Sequence, residues 1–176
     1  MRKVILAAGI TIDGYIARPN GAVDYLFMPK DFSMAPFIAS IDTVVMGRKT
    51  YEVSLQMGGG SFGQGIVSYV FSRTLQSGAR DGVIFVNEAA GQLVEELRGT
   101  RTRSKHIWLM GGGELAREFL QADLVDEIHL SIVPIVLGDG IPLFPPGFPQ
   151  RNFKLIEHNV YSKGLVELKY ARQVSR

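Results

Sequence analysis

Apolar residues in this chain follow two rhythms, which alternate over most of its length. The first is a set of short unbroken runs: Lys3 to Gly9, Thr43 to Met46, Ser68 to Phe71, Gly82 to Val86 and Ile107 to Met110. Runs this short and this apolar predict buried strands rather than helices. The second is helical spacing. Met34, Phe37, Ile38 and Ile41 predict a helix over 33–41; Leu93, Val94 and Leu97 one over 88–97; Leu115, Phe119 and Leu120 one over 114–121. The pattern then changes. Asp126 to Val136 reads as a long strand, with Pro134 confining that point to an edge or bulge. Phe153 to Tyr161 and Leu165 to Gln173 show partial alternation around Ser162-Lys163-Gly164, which predicts an antiparallel hairpin.

Strand–helix alternation followed by strands alone predicts one α/β domain over residues 1–176: a mostly parallel central sheet flanked by helices, with an antiparallel C-terminal hairpin. Residues 10–30 lack a period and carry Asp13-Gly14 and Pro19-Asn20-Gly21 turns, so they read as a long irregular loop of the kind that lines binding sites. In open α/β sheets ligands bind beyond the carboxyl ends of the strands. That rule gathers Gly9 to Ile16, Gly47 to Tyr51, Ser72 to Thr74 and Gly111 to Leu115 on one rim.

Composition narrows the classes. A net charge of +2 is too small to point to nucleic acid, and the cluster Arg98, Arg101, Arg103, Lys105 reads as a solvated loop. The absence of cysteine excludes disulfides, a thiol nucleophile and cysteine-ligated zinc. His106, His129 and His158 are dispersed, which predicts no metal site. No apolar run approaches membrane-spanning length, and MRKVILAAGI reads as a first core strand rather than a signal peptide. A soluble cytoplasmic protein is the expectation.

Two junctions carry candidate chemistry. Gly111-Gly112-Gly113 joins a strand to a helix starting at Glu114. Glycines let a backbone approach a phosphate, and a helix N-terminus presents free N–H groups; a tight turn without a ligand fits the same residues. Gly47-Arg48-Lys49-Thr50 also joins a strand to a helix and puts two cations where the helix dipole disfavours them. A bound anion would remove that conflict; two solvated basic residues are the alternative. Asp126 and Glu127 stand where a strand begins, which favours a capping or contact role over acid–base work.

Together these segments resemble the dihydrofolate reductase fold. More closely, they resemble the reductase domain of the bifunctional riboflavin-biosynthesis deaminase-reductases in its stand-alone form. Thr11-Ile12-Asp13-Gly14-Tyr15-Ile16-Ala17 is similar to that family's Ser-Leu-Asp-Gly-x-Ile-Ala. Asp42 to Tyr51 is similar to its strand and Gly-Arg-x-Thr; Gly111 to Gly113 to its glycine turn; Leu124 to Phe144 to its Leu-Val-Asp-Glu segment and following strand. The resemblance implies an NADPH-dependent reductase acting on a small molecule, and a homodimer, with Asp126 to Val136 and Ile141 to Pro149 as contact regions. By position, Gly47, Arg48, Lys49 and Thr50 would hold the cofactor's pyrophosphate and adenosine phosphate. Ser72 and Arg73 would hold its 2′-phosphate. Gly111, Gly112, Gly113, Glu114 and Leu115 would line the pyrophosphate and nicotinamide ribose, and Ala8 and Gly9 the nicotinamide. The loop of Asp13, Tyr15 and Ile16 would form a wall of the substrate cleft.

Three departures bear on the substrate. The family's acidic-proline stretch is replaced by Glu52 to Met57, Met110 precedes the glycine turn where the family has a glutamate, and a deaminase half is absent. Reduction of the ribosylamino-pyrimidine of riboflavin synthesis, reduction of dihydrofolate or another pterin, and NADPH binding without turnover therefore all stay open. In the pterin reading Asp31 occupies the position of the proton-delivering carboxylate, which a buried cleft would keep at a raised pKa. The competing expectation for Asp31 is an N-cap on the helix at 33–41.

Overall fold

A computed structural model describes residues 1–59, 62–100 and 102–173. Its centre is a nine-stranded sheet in the order β10-β11-β8-β1-β7-β3-β4-β6-β5. Six neighbouring strands are parallel: β8 (Glu127–Val133), β1 (Val4–Thr11), β7 (His106–Gly111), β3 (Ile41–Gly47), β4 (Val67–Phe71) and β6 (Val83–Val86). Antiparallel strands finish both sides: β5 (Gly78–Arg80) on one, β11 (Val166–Arg172) and β10 (Phe153–Val160) on the other. A separate ribbon pairs β2 (Tyr15–Ala17) with β9 (Ile141–Pro142). The short strands β5 and β9 have no counterpart in the hydrophobic pattern, because three exposed residues and two residues respectively are too few to set a period.

Helices cover both faces of the parallel part, so its strands are apolar on both sides. On one face α3 (Ala90–Gly99) and α4 (Gly113–Gln121) pack Leu93, Leu97, Leu115 and Phe119 onto Val4, Leu6, Val45, Ile107 and Leu109. On the other, α1 (Ala35–Ser40) and α2 (Arg48–Gln56) set Phe37, Ile38 and Tyr51 against Ile5, Ala7, Val44, Met46 and Trp108. Among the described residues no helix is long and apolar enough to cross a membrane.

Three expectations change. β8 ends at Val133, ahead of Pro134, and lies inside the sheet between β1 and β11, so it is neither an edge nor in need of outside cover. The helix expected over 33–41 is α1, six residues with Met34 at its N-cap. The basic cluster is not simply solvated. Arg98 pairs with Asp126 at 2.5 Å, and Arg103 donates to the carbonyls of Asp42 and Gly65. Arg101 of that cluster, and Gly60 and Ser61 of the glycine-rich loop, lie outside the described residues.

Candidate active site at the carboxyl rim of the sheet

Strands β1, β7, β3 and β4 end on one rim, and their last residues approach one another. Gly47 ends β3 and is the N-cap of α2; Gly112 follows β7 and is the N-cap of α4. Neither helix has a side-chain cap. Two sets of first-turn N–H groups are thus left without intrahelical partners at neighbouring points, an arrangement suited to anions. Gly111 has φ +105, a conformation open to glycine, and the Gly111–Gly112 peptide is cis. A Cβ on Gly112 would meet Thr50 Oγ1 at 3.5 Å and Ile16 Cδ1 at 3.8 Å. Gly47, Thr50, Ile16 and the glycine turn therefore share one spot, although they come from separate stretches of the chain. Gly113 is a glycine for another reason: a side chain there would overlap the carbonyl oxygen of Pro142.

The register of β1 opens this site. Against β8 it pairs from Ile5 to Thr11, but against β7 only Val4, Ile5 and Leu6 pair, with Ile107, Trp108 and Leu109. Beyond Leu6 the two central strands part. Trp108 Nε1 closes the start of the gap with a 3.0 Å bond to the Ala7 carbonyl. Past that point Ala8 and Gly9 face β7 without a ladder partner, leaving a slot between the end of β1 and the glycine turn. Ala8 packs toward the α3/α4 core, and Gly9 lies under Leu26 on the opposite face.

A cavity of about 210 Å³ continues the rim toward β4 and is lined by Gly47, Ser72, Arg73, Asn87, Glu114, Leu115 and Glu118. Five of these were singled out from sequence; Asn87 and Glu118 were not. Asn87 follows β6, and nothing in its local pattern separates it from an ordinary turn residue. Both carboxylates already have partners. Glu114 pairs with Arg117 at 2.5 Å, and Glu118 accepts the Ala90 N–H at the start of α3. Ser72 is buried and its Oγ accepts from the Leu75 N–H, while Arg73 is exposed and makes no ion pair among the described residues. Arg48 donates to Thr74 Oγ1 at 3.0 Å and lies 3.4 Å from Glu52, so part of the charge conflict at the start of α2 is relieved within the protein. Lys49 is exposed beside it.

The loop residues divide. Ile16 reaches the glycine turn, and Tyr15 packs its ring against Gly140. Asp13 is occupied: its carboxylate accepts from Thr11 Oγ1 at 2.6 Å and from the N–H groups of Leu137 and Gly138. The Thr11 bond is the main reason its pKa lies below the ordinary value. Asp13 thus ties the first loop to the segment after β8.

Asp31 is corrected on both counts. It is exposed and caps the turn between β10 and β11, with its carboxylate accepting from Ser162 Oγ at 2.6 Å and Ser162 N–H at 2.8 Å. Those bonds hold its pKa below, not above, the usual range. The turn at the start of α1 is held instead by Ser33, whose Oγ accepts from the Ala35 N–H at 3.2 Å. Asp126 and Glu127 are structural: Asp126 accepts from Val4 N–H and Arg98, and Glu127 from Lys3 and His129. No group of three or more His, Asp or Glu side chains among the described residues could hold a metal.

Comparison with known proteins agrees with this architecture. The family model of the RibD C-terminal domain matches residues 2–167. The uncharacterized proteins YyaP and YwjB of Bacillus subtilis (strain 168) are 34% and 35% identical. The matches cover 96% and 81% of this chain, and 94% and 83% of those proteins. A crystal structure from Shewanella sp. PV-4, provisionally named a riboflavin biosynthesis protein, superposes with a TM-score of 0.85 at 25% identity, covering 98% of this chain and 99% of its own. The deaminase/5-amino-6-(5-phosphoribosylamino)uracil reductase of Thermotoga maritima shares the fold, with a TM-score of 0.73 at 15% identity. That match covers 98% of this chain and 57% of the larger protein. With its parallel sheet, its glycine-lined rim and a match running nearly end to end, the chain belongs to the RibD C-terminal domain family.

Proposed function

We propose that the protein is an NADPH-dependent reductase that delivers hydride to a C=N or C=O group of a small heterocyclic or sugar-derived substrate. The observation that carries this reading is the slot where β1 leaves β7, on the same rim as the glycine turn and a cavity lined by Gly47, Ser72 and Arg73. The slot supports a flat ring, and the two uncapped helix starts support a pyrophosphate. The cavity is too small for a whole dinucleotide, since pockets that enclose a drug-sized ligand are ~300–1,000 Å³. The cofactor would lie across the rim, with its 2′-phosphate end beside Arg73. Glu114 and Glu118 do not oppose it, because their charges are engaged by Arg117 and by the start of α3.

NADPH, when bound, supplies the hydride; the chain's own part is position and electrostatics. Thr50 holds the pyrophosphate at the start of α2, the Gly111–Gly112 backbone orients the nicotinamide end, Ile16 excludes water from it, and Arg73 selects the phosphorylated nucleotide. With Asp31 engaged at the far hairpin, the proton comes from water. The ribosylamino-pyrimidine of riboflavin synthesis is the substrate the family relation points to first. The same reading carries a homodimer. The free edge strand β10, with Leu155, Ile156 and Val160 exposed, is the surface that supports one.

Calorimetric titration with NADPH and NADH tests this. NADPH should bind more tightly. Arg73→Ala should cost about 1.5–3 kcal/mol of NADPH binding and leave NADH nearly unchanged. Binding of neither nucleotide would end the reductase reading.

A further inference from the structure

A cavity of about 650 Å³ lies at the other end of the sheet, where the parallel strands begin. Its floor is Ile38 at the end of α1, Ile41 at the start of β3, and Ile66; Phe62 forms a wall. Arg103, Lys105 and residues 63–65 complete the lining, with Lys105 exposed at its mouth. β3 runs seven residues from this cavity to Gly47, which places it about 20 Å from the cofactor rim at ~3.3 Å per residue. None of the rim residues lines it.

We propose that this cavity is a second small-molecule site, for a planar apolar molecule carrying one anionic group. Three observations carry the proposal. The first is size and shape: the volume is in the range of a ligand site, and the wall is fixed. Phe62 stands edge-on to Trp108 with ring centroids 5.5 Å apart, Phe37 stands edge-on to the same indole at 5.3 Å, and Trp108 is pinned by its bond to the Ala7 carbonyl. The second is charge. Asp42 is the carboxylate in the lining, and the buried Arg2 guanidinium behind it cancels its charge at 2.5 Å. Among the described residues Arg103 and Lys105 remain as the charges in the lining, so the cavity attracts an anion. The third is construction. Arg103 donates one nitrogen to both the Asp42 and the Gly65 carbonyls at 2.9 Å, bracing Gly65 against the start of β3 beside the cavity. Lys105 is exposed and makes no ion pair among the described residues, and its ammonium is the group assigned to the ligand's anion.

Trp108 is the single tryptophan of the chain and touches the Phe62 wall, so its fluorescence reads occupancy directly. Phenyl phosphate is the probe, with benzyl alcohol as the neutral control; Trp108 emission follows the titration of the whole protein without nucleotide, and calorimetry follows it with saturating NADPH, whose absorption would itself quench the indole. The expected result is saturable change in Trp108 emission with phenyl phosphate, weakened about tenfold or more in Lys105→Ala, and an affinity unaffected by NADPH. Benzyl alcohol should bind at least about tenfold more weakly than phenyl phosphate. Because Lys105 is exposed, its replacement leaves folding intact; Phe62→Leu, which keeps the wall apolar but removes the ring, should also weaken the probe. No saturable response, an affinity unchanged in Lys105→Ala, or displacement by NADPH would overturn the proposal. The titration without NADPH needs neither turnover nor cofactor, so its failure is distinct from failure of the reductase reading.

Discussion

The two ends of the parallel sheet are built on opposite plans. Where the strands begin, charge is buried and paired. Arg2, 5% exposed, donates to Asp42, Thr43 Oγ1 and the carbonyls of Leu97 and Lys105, tying β1, β3, α3 and the approach to β7 together. Asp126 does the same for β1, α3 and β11 through Val4, Arg98 and Arg172. Where the strands end, hydrogen-bonding capacity is left over. Glycine N-caps leave helix N–H groups open, β1 leaves β7, and Arg73 has no ion-pair partner among the described residues. A buried charge must be matched within the protein because desolvation is costly, whereas a binding rim is useful because its groups are not yet matched. Polar residues of the same types therefore lock the buried interior of one end, with the Lys105 ammonium outside that network, and keep unmatched hydrogen-bonding capacity at the other.

That contrast can be broken by substitution, and the largest effect belongs to the locked end. Arg2→Ala leaves Asp42 buried without its cation and should cost about 3–5 kcal/mol of stability. In urea unfolding the midpoint should fall sharply, while NADPH affinity of the folded protein stays within about twofold because the sites are far apart. An equal loss in both would show that the two ends are not independent. Gly113→Ala acts at the rim. Its methyl would meet the Pro142 carbonyl, so the β9 segment or α4 must shift, at a cost of about 1–3 kcal/mol. Here nucleotide affinity should drop together with stability; a variant that binds NADPH normally would remove Gly113 from the site.

The smallest effect sharpens the comparison at a group between the two plans. His129 lies mostly buried beside the Phe37 ring and 3.0 Å from Glu127. Burial holds its pKa below the ordinary 6.5, and Glu127 offsets this only in part. Near neutral pH the imidazole is uncharged and donates Nε2–H to the carboxylate. Above about pH 6.5 it is neutral in folded and unfolded chains alike, and it adds no pH dependence. As pH falls below that value the unfolded chain takes up the proton first, so stability declines. His129→Gln should flatten that decline in thermal melts between neutral and mildly acidic pH. A decline that persists unchanged would assign it to other groups.

The alternation of short apolar runs with helical spacing made the layered α/β fold legible. A strand buried on both faces has no polar side to break its run, and Val4–Thr11, Ile41–Gly47 and His106–Gly111 are such strands. The glycines and hydroxyls of the rim were legible for a related reason: backbone conformation and helix starts are local properties, and Gly47, Gly111 and Gly112 declare them in sequence. Asp31 was misplaced because a carboxylate carries no mark of its partner. Ser162 lies 131 positions away and meets it only because β11 folds back along β8. Arg2 carries no local mark of its role for the same reason, since its partners Asp42 and Leu97 come from another strand and a helix.

The sequence by itself determined the class of fold and the residue types on the rim, because hydrophobic period, glycine and charge act over a few residues, and its motifs resemble those of the family to which the chain belongs. Only the tertiary structure decided that β1 and β7 part after Leu6, that Asp13 bonds to Gly138 and Asp31 to Ser162, and that Phe62, Arg103 and Lys105 frame a cavity away from the rim. Each of those depends on strand register or on contacts between distant segments, which are fixed when the core packs as a whole.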